Sequence, residues 1–137
     1  MAKAGWWLGA AVGLLVAGGA RADGFHWSAV AEETIGHLEE VVAAYRGGRV
    51  EEAKEALVSA YFGCFEDRKM EAALRKEIGL QHTGEVEAQF IYLRNDVRRG
   101  ASVDEIAAIV EGLAVTLRAD AKILEERKVP EQVYEGR

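Results

Sequence analysis

The stretch Tyr61-Phe62-Gly63-Cys64-Phe65-Glu66-Asp67-Arg68-Lys69-Met70-Glu71 constrains this chain more than any other. It lies in the middle of a long helical pattern. Residues seven apart return to nearly the same helix face. Leu57, Cys64, Glu71 and Ile78 therefore share one line, and Ala60, Asp67 and Leu74 share the line beside it. Two carboxylates thus interrupt an otherwise apolar seam. Asp67 and Glu71 also stand at the i, i+4 spacing, where like charges repel. Burying that pair requires a compensating cation. The identity of the cation is the main functional question that the sequence poses.

The flanking residues read as helices. Val30, Thr34, Leu38, Val41 and Tyr45 recur at three- and four-residue spacing in a first helix, Trp27 to Tyr45, with Ser28 as its N-cap and Gly47-Gly48 as its stop. The second and longest helix runs from Val50 to Ile78. Gly63 inside it permits a bend or a close helix approach. Leu80 to Gly84 reads as a loop that exposes His82. Val86, Phe90, Leu93 and Val97 then mark a third helix, Glu85 to Arg99. Ser102 with Glu105 forms a capping box for a fourth. Its seam is Val103, Ile106, Val110, Leu113, Leu117, Ala121 and Leu124. No strand pattern or internal repeat occurs. The expectation is all-α: an up-down-up-down four-helix bundle over residues 23–126, with a loose tail at 127–137 after Pro130.

Residues 1–22 read as a cleaved secretory signal peptide: Lys3, an apolar run from Trp6 to Ala17, and Ala20-Arg21-Ala22 as the cleavage pattern. The mature chain is then expected to have 115 of the 137 residues. Seventeen basic residues less Lys3 and Arg21, against 23 acidic ones, leave it a net charge of −8. That balance argues against nucleic acid as a partner and suits cations. Cys64 is the only cysteine, so no disulfide forms within the chain, and its place on the seam reads as a small buried hydrophobe.

Candidate chemistry gathers on the second and third helices. Glu66, Asp67 and Glu71 lie within about one and a half turns, and Glu87 and Arg94 share a face of the third helix. Two arrangements fit. Arg94 could hold the carboxylates as an ion-pair network. Alternatively Asp67, Glu71 and Glu87, with His37, could form an oxygen-rich cation site. A ferritin-like centre would need Glu-x-x-His pairs, which are absent; Glu33 and His37 are four apart instead. No phosphate loop, Gly-x-Ser-x-Gly or His-Glu-x-x-His motif occurs, so no enzyme is expected.

Three segments carry a resemblance: Tyr45-Arg-Gly-Gly-Arg-Val-Glu-Glu-Ala53, Ala60-Tyr61-Phe62-x-x-Phe65-Glu66 with Met70-Glu71, and Val86-Glu87-x-x-Phe90-x-x-Leu93-Arg94. Together they resemble the extracytoplasmic helical domain of bacterial high-affinity iron permeases, from about Gly36 to Leu124. The matching positions are Tyr61, Phe65, Glu66, Glu71, Glu87, Phe90 and Arg94. The sequence departs from the family in having neither permease helices nor Arg-Glu-x-x-Glu motifs. The resemblance implies a free-standing periplasmic accessory protein. It would bind iron or another divalent cation, or deliver it to a separate membrane permease. Glu66, Asp67, Glu71, Glu87 and His37 are the expected ligands, with Arg94 and Tyr61 positioning them. The alternative is a metal-free interaction module that docks on a membrane transporter. The oligomeric state stays open.

Overall fold

The computed structural model describes residues 26–131. The signal-peptide pattern and the last six residues lie outside the described residues. The described chain is all-helical: α1 (Trp27–Arg46), α2 (Val50–Ala60), a π-helical segment (Tyr61–Glu66), α3 (Met70–Glu77), α4 (Leu80–Arg99) and α5 (Val103–Glu126). α1 packs most extensively along α2 and α5; α4 lies on α5 and α3 and only thinly on α2.

The apolar seams read from spacing are the core. Val30, Leu38 and Val41 of α1, Val86, Phe90, Leu93 and Val97 of α4, and Ile106, Val110, Leu113, Leu117, Ala121 and Leu124 of α5 are all buried. Ser102 accepts from the Glu105 amide at 3.1 Å and Glu105 returns the bond at 2.9 Å, which completes the capping box.

The second helix departs from expectation. It is not continuous from Val50 to Ile78. A π-helical turn inserts an extra residue into the ladder, and the chain then turns at Lys69, a left-handed residue with φ of 67°. The buried positions step by five here, from Ala60 to Phe65 to Met70. Cys64 and Glu71 stay inside, while Asp67 is rotated off the seam into solvent. Gly63 does not serve a close approach. A Cβ there would meet only the Ser59 Cβ, at 4.0 Å. Arg68 ties the turn down, donating to Glu33 of α1 at 2.6 Å and to Glu131 at 3.1 Å.

Two further differences have local causes. Gly79, with φ of 127°, lets α4 start at Leu80 without a loop. His82 is therefore helical and half-buried, with Nε2 at 2.8 Å from both oxygens of Asp120 on α5. Burial lifts the Asp120 carboxyl above its usual range, and the His82 contact opposes that shift. At the other end, Ser28 is not the cap of α1; its amide donates to Glu125 of α5 at 2.7 Å. The start of the segment after α5 is also packed: Val129 is buried, and its carbonyl accepts the fully buried Trp27 Nε1–H at 2.6 Å.

This last bond is testable. Trp27→Phe keeps most of the apolar bulk but leaves the Val129 carbonyl without its donor, which costs about 1–3 kcal/mol. The urea midpoint falls accordingly, with far-UV circular dichroism retained. An unchanged midpoint contradicts the role given to this bond.

Candidate functional site

The expected acidic site lies where the π segment, α3 and α4 meet. Tyr61 opens the π segment with its ring against Phe90 of α4, centroids 5.1 Å apart in a T-shaped arrangement. Phe65 lies 5.2 Å from Phe90 and 5.8 Å from Tyr61. Such ring pairs add about 0.5–1.5 kcal/mol beyond area burial, so they fix α4 against the irregular part of the second helix.

Glu71 and Glu87 converge beside this cluster, and the cation between them is Arg75. One guanidinium nitrogen of Arg75 bonds Glu71 Oε1 and also donates to Glu87 Oε1 at 3.1 Å. Glu71 is buried and Glu87 is half-buried. Burial is the main cause that raises the Glu71 carboxyl above its usual range. A hydrogen bond with the Glu87 carboxyl adds to the shift, and Arg75 opposes it. The Tyr61 phenol is pushed up to about 12, first by burial and then by the charges of Glu71, Glu87 and Glu66. It stays protonated at neutral pH and is a poor anionic ligand.

Arg94, expected as the partner of the acids, is exposed and pairs with no carboxylate among the described residues. Arg75 was missed, although a spacing signal was present. Glu71 and Arg75 stand at i, i+4 with the acid N-terminal, the favourable orientation for an intrahelical ion pair. The other expected ligands are dispersed. Glu66 is exposed and reaches the cluster only through its field, at Tyr61 and at Glu71, and Asp67 is exposed. His37 is on α1, its Nδ1 3.6 Å from Glu40 and without a hydrogen bond. Among the described residues, no three His, Cys, Asp or Glu side chains are grouped so that they could hold a metal ion. The donor set as arranged fits an arginine better than a resident metal. Cys64 is fully buried, its thiol donating towards the Val30 carbonyl at 3.6 Å, and burial raises its pKa.

A groove that the sequence reading did not single out adjoins the cluster. It encloses about 340 Å³ between α2 with the π segment on one side and α4 on the other. Leu57, Val58, Tyr61, Phe62, Phe90, Ile91 and Val97 line it, and Lys54, Glu87, Arg94 and Arg98 stand around them. Val58, Phe62 and Ile91 are 56%, 57% and 46% exposed, so three large apolar side chains face solvent together.

Comparison with family models, with curated proteins and with solved structures finds no match to this chain.

The ion-pair geometry yields two expectations. Arg75→Met leaves Glu71 and Glu87 facing each other and lowers stability by about 1–2 kcal/mol at neutral pH, discounted for the half-exposed guanidinium. Arg94→Met changes stability by less than about 0.5 kcal/mol. Equal effects of the two, in urea unfolding, would contradict the assignment. The pH dependence has a definite sign. Folded Glu71 binds its proton more tightly than the unfolded chain does. Its contribution is therefore fully present below the ordinary value of 4.5 and is lost as pH rises through the raised value. Glu71→Gln removes this dependence, so the parent-minus-variant stability difference falls across that window. A difference that rises with pH would reverse the account.

Proposed function

We propose that this chain is a non-enzymatic helical accessory domain that works by docking, outside the cytoplasm, on a membrane permease for iron or another divalent cation. The observation that carries this reading is the open apolar groove between α2 and α4. An exposed apolar patch of this kind, rimmed by charge, marks an interaction site. The acids that suggested a metal centre already have a cation in Arg75, so their role is to hold the Tyr61 wall of the groove against α4. The permease and the extracytoplasmic location rest on the sequence resemblance and on the signal-peptide pattern. No helix among the described residues is long and apolar enough to cross a membrane, so the partner supplies the transport path. In this reading the four rods are α1, the broken α2–α3 helix, α4 and α5, arranged up-down-up-down.

A photo-crosslinking residue placed at Ile91 in cells tests the docking. The expected product joins this chain to an integral membrane cation permease. It is absent when the same residue replaces Val115, an exposed position on α5, and it is lost with Phe62→Ser. Equal products from both positions, or none, would contradict the reading.

A second reading, metal binding, is favoured by the convergence of Glu71 and Glu87 on one cation position. It predicts that Fe(II), Fe(III), Mn(II), Cu(II) or Zn(II) raises the melting temperature of the parent and not of Glu71→Ala. No shift with any of them leaves docking as the sole function.

A further inference from the structure

The groove carries more than a docking surface, because its charges are uneven. Arg94 and Arg98 stand at i, i+4 on α4, where like charges repel each other. Neither pairs with a carboxylate among the described residues, whereas most other arginines of the bundle do, including Arg49, Arg68, Arg75, Arg99 and Arg118. Lys54 stands at the same groove from α2, but its ammonium already pairs with Glu51 at 2.9 Å. The one acid at the groove, Glu87, is already bonded to Arg75. A chain of net charge −6 thus places two arginines without a carboxylate partner at an apolar groove.

Length restricts the occupant. The α4 wall runs from Glu87 to Arg98, about 16 Å at ~1.5 Å per residue. Ile91 is exposed on it, and the buried Phe90 and Val97 form the groove's floor. The groove is open to solvent along this wall, which suits a helix laid between two helices.

We infer that the groove receives an acidic amphipathic helix of the partner. Its apolar stripe packs on Val58, Phe62 and Ile91, and its carboxylates meet Arg94 and Arg98. This inference rests on the docking reading and names the chemistry of the segment that docks.

Three synthetic helical peptides with the same leucine stripe, and glutamate, glutamine or lysine on the polar face, test it by fluorescence anisotropy against the full chain. The overall charge of the protein favours the lysine peptide; the groove favours the glutamate one. The expected result is that the glutamate peptide binds about tenfold tighter than the glutamine peptide and loses that margin as salt rises. The double variant Arg94→Glu with Arg98→Glu reverses the order of the glutamate and lysine peptides. Phe62→Ser, at an exposed position, weakens the glutamate peptide about tenfold while circular dichroism stays unchanged. Equal or stronger binding of the lysine peptide to the parent overturns the inference. So does Phe62-dependent self-association in sedimentation, which makes a second copy the occupant, or Phe62-dependent binding to anionic vesicles, which makes it a membrane surface. If no peptide binds but the Ile91 crosslink to a permease persists, the helix chemistry is wrong and the docking reading stands. Peptide binding without that crosslink sinks the permease role alone.

Discussion

One guanidinium between two carboxylates reconciles a buried acid with a helical core. Glu71 sits on a line that is otherwise apolar, and an ionised carboxylate there is costly unless it is paired and hydrogen-bonded. Arg75 meets that need from the next turn of the same helix and reaches Glu87 across the interface. The contact joins α3 to α4, where the helix–helix packing is thinner than between α1 and its neighbours. Tyr61, Phe65 and Phe90 complete the joint from the apolar side. The groove beside it keeps its shape because both of its walls are fixed at this point.

The broken second helix is the other half of this arrangement. A straight α-helix would carry Asp67 onto the seam with Ala60 and Leu74. The π turn and the left-handed Lys69 displace it, so that one acid remains inside instead of two. Phe65 takes a core position in exchange. Irregular helical turns of this kind are frequent at functional sites, and here the turn forms part of one wall of the apolar groove.

The regular helices were legible because their seams keep one period. The capping box was readable as well, because its two bonds are local. What was not legible depends on register and distance. Seven-residue lines cannot anticipate an inserted residue, so Asp67 was placed with Glu71. Spacing alone favours Arg94, which shares a face with Glu87, whereas the contact is made by the i, i+4 pair Glu71 and Arg75. His82 looked like a loop residue because Gly79 was read as the opening of a connection rather than as the connection itself; its partner Asp120 is 38 residues away. The groove had no sequence signature. Val58, Phe62 and Ile91 are apolar residues off their seams, and only the fold brings them together.

The central claim is that Arg75, through its guanidinium, takes the place of the cation that the acidic seam demands. A double-mutant cycle on Glu71 and Arg75 measures it most directly, with Glu71→Gln, Arg75→Met and the double variant unfolded in urea at neutral pH. The account predicts a coupling of about 1 kcal/mol or more, with the double variant close in stability to Glu71→Gln alone. Additive effects, with no coupling, would show that the two side chains act independently and would contradict it.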